Sequence, residues 1–463
     1  MIDSYNFDNL KKVHLIGIGG SSMNGIAEIL LNYDIKVSGS DRGESDNTRR
    51  LSKLGAEIFI GHAKENLAPD CDLVIYTVAV PKDNPEFVAA SALGIPVIER
   101  GKFLGYVVSR HPSSLAVAGT HGKTTTTSMI AAILIEAKKD PCVHMGGFFP
   151  LIGGSVRASK SDYLVTEACE YYRNMLNLNP FAGIILNVEE EHTDYYKGGL
   201  PEIIEAFSQF AGNINPSGFL VVCKDNACAI EASKGASCKV IEYSYNDPSA
   251  EYYASDVVYS KEGTSTYTLC RCGSKLGEII LSVPGSHNVS NSVAAAAAAI
   301  EFGCSFTDIA DGLKNFVCAN RRFQCIGKYN GARLIDDYAH HPTEIKAAIK
   351  SAVSVLGDKH KLYAVFQAHT YTRAIKFGDA FAEALKDADE IIVADIYAAR
   401  EKDPGTVNAE MLAAKFRSFG LNASYKGGFE EIEDYLKSVV NPDDLVITLG
   451  AGNVNEVIHR IAE

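Results

Sequence analysis

One stretch limits what this chain can fold into more than any other: Leu115-Ala-Val-Ala118, then Gly119-Thr120-His121-Gly122-Lys123, then Thr124-Thr125-Thr126-Thr127. A β-rich apolar run delivers a short glycine loop and a lysine, and the apolar segment Met129–Ala137 reads as a helix. A buried strand feeding a buried helix implies a sheet covered by helices. The order also has a chemical reading. Backbone N–H groups of a glycine loop cradle phosphate oxygens, the ammonium offsets β/γ charge, and the first helical hydroxyl suits Mg²⁺. The common Gly-x-x-x-x-Gly-Lys-Ser/Thr spacing is broken, because Val117 stands where its first glycine would be. The loop is a shorter Gly-Thr-x-Gly-Lys-Thr form. ATP is therefore expected on Gly119, Thr120, His121, Gly122, Lys123, Thr124 and Thr125, with Mg²⁺ beside Thr124.

Short β-rich runs alternate with helical segments along the rest of the chain, which predicts α/β architecture with parallel sheets. Val13–Ile18, Lys36–Ser40 and Leu73–Val78 read as strands of a first region. Leu115–Ala118, Tyr163–Thr166, Gly183–Asn187 and Phe219–Cys223 belong to a second, and Leu362–Phe366, Ile391–Ala394 and Leu445–Leu449 to a third. Alternation over Glu251–Leu281 predicts an antiparallel patch, and the alanine-rich run Val293–Ile300 a close-packed helix. At 463 residues the chain has room for about three domains of ~150 residues. The expected division is a Rossmann-like domain over 1–107, a P-loop ATPase-like α/β domain over 108–322, and a Rossmann-like domain over 323–463.

A formal charge of −13 argues against a protein that coats nucleic acid, since such binding neutralises phosphates with Lys and Arg. The start, Met1-Ile-Asp-Ser-Tyr-Asn-Phe, has no basic segment followed by an apolar core, and no apolar run reaches the ~20 residues that span a bilayer. The 11 cysteines are scattered without a Cys-x-x-Cys pair, so reduced thiols and a cytoplasmic location are expected.

A second glycine loop, Gly17-Ile-Gly19-Gly20-Ser21-Ser22, follows the first strand, with a helix expected from about Asn24 and Asp41 ending the next strand. Glycines there admit a diphosphate to a helix N-terminus, and Asp41 stands where such folds place a ribose-binding acid. The alternative is a purely structural turn, because Ser22 occupies the third fingerprint position. Past two later strands come Glu167-Ala-Cys169-Glu170 and Asn187-Val-Glu189-Glu190-Glu191-His192-Thr193-Asp194, where open parallel sheets hold ligands. Glu167 and His192 could complete a hard-cation site, or each could be an ordinary solvated or structural side chain. Cys169 is expected as a small buried residue without a role. His287-Asn288 and Asn291 read equally as a capped helix start, and Arg321-Arg322 as a surface pair. Pro342 suits a first helical turn, with Thr343 or the preceding turn as cap. A metal shared by His340 and His341 is not expected, since adjacent side chains diverge.

Together these motifs resemble the Mur ligases, ATP-dependent cytoplasmic enzymes that add amino acids to a UDP-muramyl precursor of peptidoglycan. The resemblance runs through Gly-Thr-His-Gly-Lys-Thr-Thr-Thr-Thr, Glu191-His192-Thr193-Asp194, His287-Asn288-Val-Ser-Asn291, Arg321-Arg322-Phe323, Asp336-Asp337-Tyr338-Ala339-His340-His341-Pro342-Thr343-Glu344 and Phe366-Gln367-Ala368-His369-Thr370-Tyr371-Thr372-Arg373. It implies that Gly17, Gly19, Gly20, Ser21, Ser22 and Asp41 bind a UDP-sugar, and that Thr124, Glu167 and His192 hold Mg²⁺. His287, Asn288, Asn291, Arg321, Asp337 and Tyr338 would lie at the nucleotide. Lys123, His192, His340 and Arg373 would act in catalysis, with Arg373 on the acceptor carboxylate. The Asp-Asp-Tyr segment is similar to the alanine-adding branch, whose substrates are UDP-N-acetylmuramate and L-alanine. Thr370 replaces an arginine common in relatives, and Ala368 a proline. Rival readings are a sibling that reattaches a recycled tripeptide, a folate-polyglutamate-type ligase, and a non-catalytic nucleotide sensor.

Overall fold

The computed structural model describes residues 9–462 apart from Val78, Asp194 and Asp358; Ser21 is described in its backbone only. The expectations placed on Met1–Phe7, on Asp194 and on the Ser21 side chain lie outside the described residues. The described strands form three sheets, in α/β order with intervening helices. They fall into two compact units, one of Met1–Tyr253, Cys270–Ser274 and Asn291–Gly312, the other of Ala254–Leu269, Lys275–Ser290 and Leu313–Glu463.

In the first unit, an N-terminal parallel sheet orders its strands Glu57–Ile60, Lys36–Asp41, Lys12–Ile16, Leu73–Tyr76, Val97–Glu99. The same unit holds the order Lys239–Ser244, Phe219–Cys223, Ala182–Ile185, Ser113–Ala118, Tyr163–Ala168, Cys142–Phe149, parallel throughout, with Gly154–Arg157 antiparallel at the end. Strand Ser113–Ala118 sits between its neighbours near the middle, and Leu115 to Ala118 are wholly buried, as a strand covered on both faces requires. The helix that follows, Lys123–Glu136, is buried from Thr124 to Leu134.

The second unit carries a sheet ordered Gln324–Tyr329, Ala332–Asp337, Leu445–Leu449, Leu362–Phe366, Glu390–Val393, Ala423–Tyr425, parallel except for its first hairpin pair. Strands Tyr252–Tyr259, Ser265–Arg271 and Ser274–Leu281 are sheet neighbours joined by very short links. Parallel strands need a crossover of about a dozen residues, so these are antiparallel, as the alternation predicts.

Several boundaries differ from the sequence reading. The first-loop helix begins at Ser21 rather than about Asn24, and the alanine helix runs over Ser286–Glu301. Strand Tyr163–Ala168 continues through Glu167, so that acid lies in the strand end and not past it. Helix Pro342–Val355 is capped by His341, which accepts the Thr343 N–H, with Glu344 completing a capping box. Thr343 is therefore inside the helix. The 11 cysteines are all free thiols.

Candidate active site

The lysine loop owes its shape to Gly122, which caps helix Lys123–Glu136 with φ of +84°, a left-handed conformation that L side chains rarely adopt. A Cβ there would also stand 2.8 Å from Asn291 Oδ1, so the Asn291 amide lies directly on the loop. The opposite side is zipped to residues 187–189. The His121 N–H donates to Asn187 Oδ1 at 2.8 Å, Asn187 Nδ2 returns a bond to the His121 carbonyl at 3.1 Å, and the Glu189 N–H donates to Thr120 Oγ1 at 2.9 Å.

Within this frame Lys123 turns back on its own loop. Its Nζ donates to the carbonyls of Gly119 (2.5 Å) and Thr120 (3.0 Å) and pairs with Glu170 Oε2 at 2.9 Å. Glu170 also faces His192 Nε2 at 3.2 Å. Burial alone would raise the Glu170 pKa, but Lys123 and His192 outweigh it and hold this carboxyl down at about 2. His192 is fixed from its other side, where Tyr171 stacks at 4.4 Å between ring centroids. Backbone strain marks the same place: Tyr172, Arg173 and His192 all have φ near +50°.

Thr124 Oγ1 donates to Glu167 Oε1 at 2.9 Å, and the Gly146 N–H donates to that same oxygen at 2.7 Å. Hydroxyl and carboxylate thus form a pair of hard oxygen donors at the head of the lysine helix, the chemistry Mg²⁺ prefers. The donor set fits that ion. His192 presents Nε2 to Glu170, which leaves Thr124 and Glu167 as the better-suited ligands.

At the first glycine loop the donors are already committed. The Ser40 carbonyl accepts from Gly17 and Ile18, Asp41 Oδ2 accepts from Gly19 at 2.8 Å, and the Gly17 carbonyl accepts from Gly20. Asp41, expected to meet a ribose, here anchors the loop. What an α-helix leaves without intrahelical partners is its first-turn N–H groups, here those of Ser21, Ser22 and Met23. Arg100 Nη1 donates to Ser22 Oγ at 2.8 Å, and His144 Nε2 lies 3.2 Å from the same oxygen. Burial, helped by Arg100, pushes the His144 pKa down to about 4, so its ring is neutral at physiological pH.

These residues share one cavity of about 370 Å³, lined by Gly20, Ser22 and Arg100 on one side and by His144, Glu167 and Cys169 on the other. Cys169 is therefore exposed to the cleft and not the small buried residue expected from sequence. Arg100 reaches the cleft because helix Arg100–Ser109 packs closely on the segment Tyr171–Asn177: a Cβ on Gly105 would stand 1.9 Å from the Asn177 carbonyl oxygen.

In the second unit, Arg321 is wholly engaged, with Nε on Asp336 at 3.0 Å and its two terminal nitrogens on the carbonyls of Gly452 and Gly450. It staples the C-terminal turn, while Arg322 lies over the Tyr338 ring at 5.3 Å. Asp337 accepts N–H bonds from Phe323 and Ala339, yet burial pushes its carboxyl up to about 6. Asn288 Nδ2 closes the turn to the Pro284 carbonyl, and burial with nearby Arg322 holds His287 down at about 4. Arg373 Nη1 lies 3.1 Å from His369 Nδ1, and the His369 ring is 6.0 Å from that of His340. These three side chains, from the two segments that follow strands Ala332–Asp337 and Leu362–Phe366, form one cluster at the ends of those strands.

Three sequence profiles of one family match along the chain: "Mur ligase family, catalytic domain" over residues 12–112, "Mur ligase middle domain" over 117–299, and "Mur ligase, glutamate ligase domain" over 321–452. The chain belongs to the Mur ligase family. Among the relatives of this Mur ligase, the UDP-N-acetylmuramate–L-alanine ligase of Acetivibrio thermocellus is 44% identical over 97% of this chain and 95% of its own. That of Clostridium novyi is 46% identical over 98% of both. The crystal structure of the UDP-N-acetylmuramate–alanine ligase from Thermotoga maritima superposes with a TM-score of 0.80 at 28% identity, covering 97% of this chain and 98% of that one. A murein peptide ligase from Psychrobacter arcticus, at 23% identity and a TM-score of 0.69 over 97% and 98%, shares the fold.

Within the first unit of this Mur ligase, residues read from the sequence converge: Lys123, Thr124, Glu167 and His192 around the loop, Gly20 and Ser22 on the cleft. Arg100, His144 and Tyr171 were missed. The first two are separated from Ser22 by 78 and 122 residues, so only the folded chain joins them. Among the described residues no helix is long and apolar enough to cross a membrane.

Proposed function

We propose that this Mur ligase joins L-alanine to the lactyl carboxylate of UDP-N-acetylmuramate, with ATP converted to ADP and phosphate, as a cytoplasmic step of peptidoglycan precursor synthesis. The observation that carries this reading is the single cleft lined by both Ser22 after the first glycine loop and Glu167, the strand-end acid bonded to Thr124 beside the lysine loop. A sugar nucleotide whose diphosphate meets the first-turn amides of residues 21–23, with Arg100 beside Ser22, points its acid toward Glu167. The curated relatives carry the same activity in their names.

A carboxylate resists amide formation because oxide would have to leave. Its oxygen therefore takes the terminal phosphoryl group of ATP, ADP departs, and the alanine amine attacks the acyl carbon as phosphate leaves. Lys123 sits on the phosphate loop to offset charge on the transferring group, and the loop amides orient it. Mg²⁺, held by Thr124 and Glu167, supplies further charge neutralisation when bound. Glu170 and Tyr171 hold His192 in one orientation. Arg373 takes the alanine carboxylate, with Thr370 replacing the second arginine of relatives. For the ammonium proton, His340 suits a base: its Nδ1 lies 3.0 Å from the Tyr338 carbonyl, an acceptor, so Nδ1 carries the hydrogen and Nε2 the lone pair. The resemblance assigns His287, Asn288, Asp337 and Tyr338 of the second unit, and Asn291 of the first, to nucleotide binding, and divides the chain near residues 107 and 322.

The test is phosphate release with ATP, Mg²⁺ and UDP-N-acetylmuramate, comparing L-alanine, glycine, L-serine and the tripeptide. Turnover with L-alanine is expected. Turnover with tripeptide alone would make the protein a recycling ligase, and none with any acceptor would end the ligase reading.

A further inference from the structure

Beneath the first glycine loop lies a buried polar cluster that the reaction does not use. Its centre is Glu86, fully buried in the first turn of helix Pro85–Leu93. Ser40 Oγ donates to Glu86 Oε2 at 2.5 Å, and Asn66 Nδ2 donates to Oε1 at 2.6 Å. Two imidazoles face the same carboxylate, with His14 Nε2 at 3.6 Å and His62 Nδ1 at 3.5 Å from Oε2. His62 Nδ1 also lies 2.9 Å from Ser40 Oγ, and His14 Nδ1 lies 2.9 Å from Ser38 Oγ. A carboxylate with no exposure is expensive to bury, so so many partners on one residue fix its position tightly.

Ser40 links this cluster to the loop. Its side chain is held by Glu86 and His62, while its carbonyl accepts from Gly17 at 2.8 Å and Ile18 at 3.0 Å. The next residue, Asp41, takes the Gly19 N–H. Residues 40 and 41 thus consume three successive loop donors. That places Gly20 and the first turn of helix Ser21–Asn32 at the cleft.

We propose that Glu86 is a positioning residue for the nucleotide-sugar site: through Ser40 it fixes residues 17–19, and with them the aim of the first-turn amides. The inference rests on the reading of that loop as the sugar-nucleotide site. Glu86 itself touches no substrate. Its influence should therefore fall on sugar-nucleotide affinity and leave the lysine loop, which belongs to another sheet, alone.

The experiment is calorimetric titration of the full chain with UDP-N-acetylmuramate and, separately, with a non-hydrolysable ATP analogue and Mg²⁺, for Glu86→Gln, Ser40→Ala and the double variant. Each single change is expected to weaken sugar-nucleotide binding about tenfold, since small misplacements of a site are amplified in this way. ATP-analogue affinity and kcat at saturating substrate should stay within about twofold of the parent. The double variant should be no weaker than the worse single, because both act along one path. Unchanged sugar-nucleotide affinity in Ser40→Ala, which removes one oxygen and is the milder change for folding, overturns the inference. So does an equal loss toward both ligands. If the unaltered protein binds no UDP-N-acetylmuramate, the proposed function falls and takes this with it; binding by the parent with unaltered variants removes only the role of Glu86.

Discussion

Replacing Glu170 with Gln isolates the ion pair at the heart of the lysine loop. The Lys123 and Glu170 side chains are only 15% and 5% exposed, so solvent can do little to compensate either charge once the other is gone. Breaking a buried pair from one side destabilises by ~3–5 kcal/mol. The lower end applies, because Lys123 keeps the carbonyls of Gly119 and Thr120 as acceptors. For a cooperative unit the size of the first, roughly 280 residues, ~3 kcal/mol corresponds to a melting-point decrease of about 5 °C. Thermal unfolding of Glu170→Gln, Lys123→Met and the double variant forms a mutant cycle whose coupling should be about 2–3 kcal/mol. Saturating ATP and Mg²⁺ should shrink the deficit of Glu170→Gln, since phosphate oxygens then provide the missing counter-charge. A coupling under ~0.5 kcal/mol, or a deficit that nucleotide leaves untouched, would refute the assignment of Glu170 as the partner of Lys123.

Gly122→Ala should weaken ATP binding at least tenfold while leaving UDP-N-acetylmuramate affinity intact, because a left-handed alanine costs about 1–2 kcal/mol and its Cβ meets Asn291 Oδ1 at 2.8 Å; equal nucleotide affinity in direct titration would count against the loop geometry. Asp337 gives a pH test. Its carboxyl is raised from 3.8 to about 6, so the folded state holds the proton more tightly than the unfolded one, and stability present at pH 4 is lost as pH rises toward 6. Urea unfolding of the second unit should show Asp337→Asn gaining on the order of 1–2 kcal/mol on the parent between pH 4 and pH 7. A pH-independent difference would rule out the burial of this carboxyl as the cause.

The sequence reading succeeded where chemistry and chain order coincide. Strand, glycine loop, lysine and hydroxyl at residues 115–124 admit few foldings, and strands such as Phe219–Cys223, Leu362–Phe366 and Leu445–Leu449 match their apolar runs to the residue. It failed where a role depends on distant approach. Arg100 meets Ser22 across 78 residues, and Tyr171 meets His192 at a place where Tyr172, Arg173 and His192 take positive φ, neither of which a motif announces. For Asp41, expected at a ligand from its position at a strand end, the structure adds a bond the motif does not announce, from the Gly19 N–H to its carboxylate. Arg321, expected at a nucleotide, is likewise found with its guanidinium on Asp336 and two carbonyls. Motif position identifies where polar groups gather; only their bonding says which are still available.

A first loop whose glycine amides are all answered from within the protein has a bearing on inhibitor design. Such a surface enters a complex already rigid, so a diphosphate mimic would forfeit little ordering entropy on docking. Among the described residues lining the cleft, the groups it would meet are one short helical turn and the Arg100 guanidinium, which favours compact dianions over elongated, flexible polyanions.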